Sequence, residues 1–184
     1  TYDGSGRLTL VEDKLDSTTL SGRKLIFAYR NNPGQFDDGQ LWRIGDQDTT
    51  NLTGTPTGRY VEFTYTPQKN NGSTVASPKA LLNIVRDTRG NVWTYKYYGQ
   101  TVGETNVNQL DCLIEVVSPS VDTSGDGTAD GTLSLEQLSY TTSGAVVTNL
   151  TQNQGNAAIS TAYAFQPGGQ NKTTETVAGK TGTH

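Results

Sequence analysis

The stretch Gly90-Asn91-Val92-Trp93-Thr94-Tyr95-Lys96-Tyr97 decides the fold. Residues two apart share one face of an extended strand, so Trp93, Tyr95 and Tyr97 point to one side and the residues between them to the other. The same pattern occurs twice upstream, with apolar residues three, five and seven positions after a glycine: Gly22 with Leu25, Phe27 and Tyr29, and Gly58 with Val61, Phe63 and Tyr65. The recurrence predicts a chain built from repeated strands.

A second pattern precedes each aromatic strand. A leucine is followed three positions later by valine or isoleucine, and two positions after that by a short polar residue: Leu8, Val11, Asp13; Leu41, Ile44, Asp46; Leu82, Val85, Asp87; and Leu113, Val116, Ser118. The shortest connection to the aromatic strand is the turn Asp87-Thr88-Arg89-Gly90. Two strands joined by a short glycine-containing turn are typical of a β-hairpin.

The predicted fold is all-β, with consecutive antiparallel hairpins in an elongated, curved or spiralling sheet. A lone hairpin is marginal in water and must pair with its neighbours. We expect one repeat-built domain over residues 1–166, with units at about 1–30, 40–66, 80–99 and 110–166 and an insertion at 120–132. Residues 167–184 are expected to form a polar tail or to start a further repeat, and Gln68–Ser73 is expected to be a polar connection between units.

The composition excludes several classes of function. Only 32% of the 184 residues are hydrophobic, against roughly 45–50% for ordinary domains, which indicates a thin core. The 14 basic and 18 acidic residues form no basic run, so we expect no nucleic acid partner. We expect no membrane span, because no apolar stretch approaches the roughly 20 residues that a spanning helix needs. A chain that begins at Thr1 and contains no methionine is expected to be a mature product or a fragment.

Cysteine–histidine catalysis is not expected. Cys112 is the only cysteine and falls within a strand-like run, Cys112 to Val117, where we expect a small buried residue. A catalytic thiol needs a nearby base, and His184, the only histidine, is the last residue.

Tyr2-Asp3-x-x-Gly6-Arg7-Leu8, followed by Val11 and Asp13, resembles the YD repeat of the bacterial RHS family. The two stretches from Gly58 to Tyr65 and from Gly90 to Tyr97 resemble the second half of the same unit. RHS proteins are large secreted or surface polypeptides whose hairpins spiral into a hollow shell around a toxin or effector segment. The resemblance implies a structural role outside the cell or on the bacterial surface.

Asp122-x-Ser124-x-Asp126-Gly127-Thr128-x-Asp130 resembles the calcium loops of EF-hand, dockerin and thrombospondin type 3 modules. Alternate oxygens would point at one ion, the glycine allows the bend, and Thr128 would offer its carbonyl. Two positions depart from the loop pattern: serine stands at position three, and Leu133 stands where an EF-hand has a bidentate glutamate. The candidate Ca²⁺ ligands are Asp122, Ser124, Asp126, Thr128 and Asp130, and the alternative is an acidic turn that holds no ion.

Other candidate sites are less specific. The aromatic rows are expected to form one buried sheet face rather than a stacking platform. Trp42 lies between Leu41 and Ile44, outside the repeat pattern, and is the first candidate for an exposed ligand-binding ring. The carboxylates proposed for a glycosidase pair are Asp37, Asp38, Glu62 and Glu115, but spacing alone does not bring any two of them together. Arg7, Arg23 and Arg59 follow turn glycines, and each is expected to form a cross-strand pair with the aspartate that ends a neighbouring hairpin.

The expected function is structural: a segment of an RHS-like extracellular or cell-envelope protein that encloses or displays another segment. Its partners would be further repeats of a longer chain or an enclosed effector segment, and open sheet edges would allow it to form oligomers. The alternative is a carbohydrate-binding or adhesion module that binds glycans. No enzyme activity is expected, because no nucleophile–base pair, catalytic metal set or phosphate loop is visible.

Overall fold

The computed structural model describes residues 1–14, 20–46, 51–122, 126–142, 147–154, 157–165, 171–177 and 180–183. Ser124 and His184 lie outside these ranges. The described residues form strands and one turn of 3₁₀ helix at Val107–Gln109, and contain no α-helix. The fold is all-β, and the strand pairs whose register is resolved are antiparallel.

The strands follow one another along the chain as β1 Leu10–Lys14, β2 Leu20–Tyr29, β3 Leu41–Asp46, β4 Tyr60–Pro67, β5 Lys69–Asn70, β6 Ser73–Thr74, β7 Ala80–Arg86, β8 Val92–Tyr97, β9 Leu113–Val117, β10 Ser134–Tyr140, β11 Val147–Gln154, β12 Ala157–Phe165, β13 Asn171–Val177 and β14 Lys180–Thr183. The stretch at 167–184, expected to be a tail or the start of a repeat, thus contains two paired strands.

The chain divides into two compact units. Unit 1 comprises Thr1–Thr66 and Leu82–Asn91, and unit 2 comprises Pro67–Leu81 and Val92–His184. In unit 1 the strands join one sheet in the order β1, β2, β3, β4, β7. In unit 2 the strands β8 to β14 follow one another in sequence order, and β5 pairs with β6.

The β5–β6 hairpin lies in the segment expected to be a plain connection. Asn71 and Gly72 form its tip, with φ of 52° and 79°, the left-handed conformation that an Asn-Gly turn favours between antiparallel strands. The Asn71 Oδ1 atom accepts a hydrogen bond of 2.6 Å from the Gly103 N–H. The hairpin is therefore held against the loop that follows β8.

A β-bulge recurs at one position of the strand pattern. Tyr29 pairs with Leu41 and Ala28 with Arg43, which leaves Trp42 as the extra residue. The extra residue is Ile114 where β9 pairs with β8, and Thr148 where β11 pairs with β10. An extra residue shifts the alternation by one, so residues three apart, such as Leu41 and Ile44, share a face.

The core is thin, as the composition indicates. Among the residues whose burial is described, the buried hydrophobic side chains are Ala28, Leu52, Leu81 and Leu110, and none is less than 2% exposed. Val11 and Leu25 are cross-strand neighbours and are each 46% exposed. Part of the apolar sheet face in unit 1 is therefore open.

Candidate functional site

The last tyrosine of the second strand makes the same contact in separate hairpins. The hydroxyl of Tyr29 donates to the Leu8 carbonyl at 2.9 Å, and that of Tyr65 donates to the Leu41 carbonyl at 2.8 Å. In unit 2 the hydroxyl of Tyr140 donates to the Leu113 carbonyl at 2.7 Å. Burial raises the pKa of Tyr65 and of Tyr140, so both hydroxyls keep the proton that they donate. Each bond joins the end of the second strand to the leucine that starts the strand pattern.

Two turns of the sequence Asp-x-x-Gly share one geometry. Asp3 Oδ1 accepts from the N–H groups of Ser5 and Arg7, both at 2.9 Å, and Asp3 Oδ2 accepts from Arg7 Nε at 2.8 Å. Asp87 repeats this: Oδ1 accepts from the Arg89 and Asn91 N–H groups at 2.8 and 2.9 Å, and Oδ2 from Asn91 Nδ2 at 2.8 Å.

The glycine of each turn, Gly6 and Gly90, has φ of 78° and 86°, where a side chain would be strained. The hydrogen bond from the Arg7 N–H is the main cause that lowers the pKa of Asp3. At Asp87 burial opposes ionisation, but the hydrogen bonds from Asn91 and Arg89 together lower the pKa.

Two of the three arginines expected to form cross-strand pairs do so, but each pairs with the aspartate at the end of the first strand of its own hairpin rather than of a neighbouring one. Arg23 Nη2 lies 2.7 Å from Asp13 Oδ2, and Arg59 Nε lies 2.7 Å from Asp46 Oδ2. Both arginine side chains are more than 70% exposed, so each pair contributes at most about 1 kcal/mol to stability. Arg7 pairs within its own turn instead.

Trp42 is half-buried, and its ring is in contact with charged groups. The guanidinium carbon of Arg43 lies 3.8 Å from the ring centroid and that of Arg30 lies 4.5 Å from it. The indole N–H donates to Glu62 Oε1 at 3.1 Å. The ring is therefore half-buried and packed against two arginines, whereas the sequence made Trp42 the first candidate for an exposed ligand-binding ring.

Arg43 is fully engaged beside this ring. Its guanidinium lies 2.8 Å from Glu62 and donates to the carbonyls of Leu52 and Gly54 at 2.8 and 2.9 Å. These bonds hold the segment after β3 against the strand, because one side chain ties Leu52 and Gly54 to β3 and β4.

A cavity of about 510 Å³ opens next to Trp42. Its lining residues are Tyr29, Arg30, Asn31, Asn32, Trp42 and Thr53. Arg30 lies 3.7 Å from the Asp37 carboxylate, and its buried Nε atom has no hydrogen-bond partner. The sequence pattern singled out Trp42 but not Arg30, which directly follows Tyr29.

The carboxylates proposed as a glycosidase pair form hydrogen bonds or ion pairs with neighbouring residues. Asp37 and Asp38 accept from the Asn32 side chain and main-chain N–H respectively. Glu62 binds Trp42 and Arg43, as described above. Glu115 accepts from Lys96 Nζ at 2.7 Å, which is the main cause that lowers its pKa. Cys112 is half-buried, and burial, followed by the charge of Asp111, raises the pKa of its thiol.

Neither a protein-family model nor a curated protein sequence matches the chain. In the part of the chain that the structure describes, no helix has the length and apolar character needed to cross a membrane.

In the described part of the predicted calcium loop, two of the carboxylates accept hydrogen bonds from main-chain N–H groups. Asp122 Oδ1 and Oδ2 accept from the N–H groups of Asp126 and Gly127 at 3.2 and 2.6 Å. Asp126 Oδ1 accepts from the Thr128 N–H at 2.7 Å, and Asp130 donates its N–H to the Val121 carbonyl at 3.1 Å. Within the described residues no three acidic, histidine or cysteine side chains converge as a metal site.

Proposed function

We propose that this chain is a structural segment of an RHS/YD-repeat-like extracellular or cell-envelope protein, part of a β-wall that encloses or displays another segment. The observation that carries the proposal is the recurrence of two features: the tyrosine-to-leucine hydrogen bond in three hairpins, and the bulge directly after the residue that pairs with the last tyrosine of the preceding strand. A repeat keeps such contacts because each hairpin must fit the next one in the same way.

The open apolar face of unit 1 supports a wall against which another segment packs. Val11 and Leu25 border a groove of about 310 Å³ whose rim contains Asp13, Arg23 and Lys24. Soluble monomers rarely leave large apolar surfaces uncovered. In the proposed role this face is covered by further repeats of a longer chain or by the enclosed segment.

Self-association tests this role. We expect the isolated chain to associate as its concentration rises, because its apolar face and sheet edges are open. The double variant Val11→Lys/Leu25→Lys should remain monomeric at concentrations about tenfold higher, measured by light scattering after size-exclusion chromatography. The matched control is Val102→Lys/Val107→Lys, since these valines are 81% and 64% exposed but lie in the loop after β8.

The control should associate as the parent chain does. Equal behaviour of both double variants, or a parent chain that is monomeric throughout, would contradict the covered-face account.

The insertion between β9 and β10 is proposed as a calcium loop on this wall. The support is the order of its oxygens, together with the Asp122 carboxylate, which accepts from the Asp126 and Gly127 N–H groups and so lies close to these two positions. Calcium prefers such alternating oxygen ligands.

A further inference from the structure

Arg30 and Trp42 both depart from the repeating pattern, and both line the same cavity in unit 1. The bulge position occupied by Trp42 holds Ile114 and Thr148 in other hairpins. The residue after the bonded tyrosine is Arg30 here, whereas threonines follow Tyr65 and Tyr140. The fold does not require an indole or a guanidinium at these positions, so their convergence calls for another explanation.

The cavity is of the size and chemistry of a small-ligand site. Its volume of about 510 Å³ lies within the roughly 300–1,000 Å³ of such sites. Arg30 and the amides of Asn31 and Asn32 supply polar groups, while Tyr29 and Trp42 supply apolar walls. Main-chain bonds from Arg30 to Gln40 and from Gly39 to Arg30, at 2.8 and 3.0 Å, fix the loop that contains the two asparagines.

Arg30 keeps positive charge available. Four arginine–carboxylate pairs in the described residues are 2.7–2.8 Å long, at Arg7, Arg23, Arg43 and Arg59, whereas Arg30 lies 3.7 Å from Asp37. A separation of 3.7 Å is too long for a hydrogen bond. The second guanidinium at the ring, Arg43, is occupied by Glu62 and two carbonyls.

We propose that this cavity binds a uronate, a sugar ring that bears one carboxylate, as a unit of an acidic polysaccharide. The Arg30 guanidinium receives the carboxylate, since its planar fork matches that group. The Asn31 and Asn32 amides bind ring hydroxyls, and Trp42 positions Arg30 and closes one wall. Phosphate fits less well, because it has more charge than one guanidinium beside Asp37 offsets.

The test titrates the full chain with two uronate probes, a hyaluronan tetrasaccharide and trigalacturonate, and with neutral chitotetraose. Binding is followed by calorimetry and tryptophan fluorescence. We expect saturable binding of at least one uronate probe and none of chitotetraose. Arg30→Gln should lower the affinity at least about tenfold, as expected for the loss of a charged hydrogen bond. Trp42→Ile, which places the residue of another bulge here, should also weaken binding.

The matched control is Arg23→Gln, an exposed arginine of the same unit, which should stay within about twofold of the parent chain if the charge at Arg30 acts locally. If Arg30→Gln does not fold by circular dichroism, Arg30→Lys keeps the charge but loses the fork and should still weaken binding.

Four results would overturn the inference: no binding of either uronate, equal binding of chitotetraose, equal loss in Arg23→Gln and Arg30→Gln, or displacement by inorganic phosphate at the concentration of the probe. The proposed wall is unaffected by any of these results, because it rests on strand register and on tyrosine-to-leucine bonds and not on what the cavity binds.

Discussion

At the scale of single residues, the hydrogen bond from a tyrosine hydroxyl to a leucine carbonyl recurs at Tyr29, Tyr65 and Tyr140. Tyr65→Phe removes only the bond to Leu41 and should lower the free energy of unfolding by about 1 kcal/mol, measured by urea denaturation. Tyr2→Phe is the control, because Tyr2 is 72% exposed, and it should leave the free energy unchanged. An equal effect of the two changes would show that the Tyr65 hydroxyl does not stabilise the hairpin.

Acid should destabilise the chain through three carboxylates. The pKa values of Asp3, Asp87 and Glu115 are lowered in the fold, so their stabilising effect is present above the pKa of the unfolded chain and is lost as pH falls through the folded values. Unfolding followed from pH 7 to pH 2 should show stability falling below about pH 5. Asp87→Asn should flatten this dependence, and an unchanged slope would contradict the role of the turn.

The turn glycines should tolerate no side chain. Gly90→Ala forces a β-carbon into φ of 86° and should cost about 1–2 kcal/mol. Gly4→Ala is the matched control in the other Asp-x-x-Gly turn, because a β-carbon there meets nothing within 4 Å and its φ is not in the left-handed range. Thermal unfolding measures the stability of the two variants. Equal melting temperatures would show that the left-handed conformation of Gly90 does not exclude a side chain.

At the scale of elements, the bulge decides which residues face one another. Deleting Ile114 removes the extra residue and should turn Leu113 to the opposite face of β9, so the variant should lose most of its stability or fail to fold. Ile114→Thr, which copies the bulge residue Thr148, keeps the register and should cost only about 1 kcal/mol. A deletion variant as stable as the substitution, by urea denaturation, would show that the bulge does not set the register.

The strands and loops also show which structural features could be predicted from the sequence and which could not. Trp93, Tyr95 and Tyr97 predicted a strand, and β8 at Val92–Tyr97 confirms it, because alternation is a local property. The Leu41-to-Ile44 spacing already contained the bulge, since residues three apart cannot share a face in a regular strand. The meeting of Arg30 with Trp42 was not predictable, because it depends on cross-strand register and on how a loop folds back.

At the scale of the whole molecule, calcium is the first partner to test. Terbium luminescence should rise on binding and fall when calcium is added. Asp126→Asn should reduce the affinity, and Asp111→Asn, an exposed aspartate outside the loop, should not. Luminescence that does not change with the metal, or that responds equally in both variants, would contradict the calcium proposal.

The central proposal, a wall built from hairpin repeats, is tested most directly by the length of the native polypeptide. Intact mass and peptide mapping of the protein from its natural source give this length. The account predicts a chain many times longer than 184 residues, with further copies of the leucine and aromatic strand patterns on either side of this segment. A native chain of 184 residues would contradict it, because a single strip of sheet cannot enclose another segment.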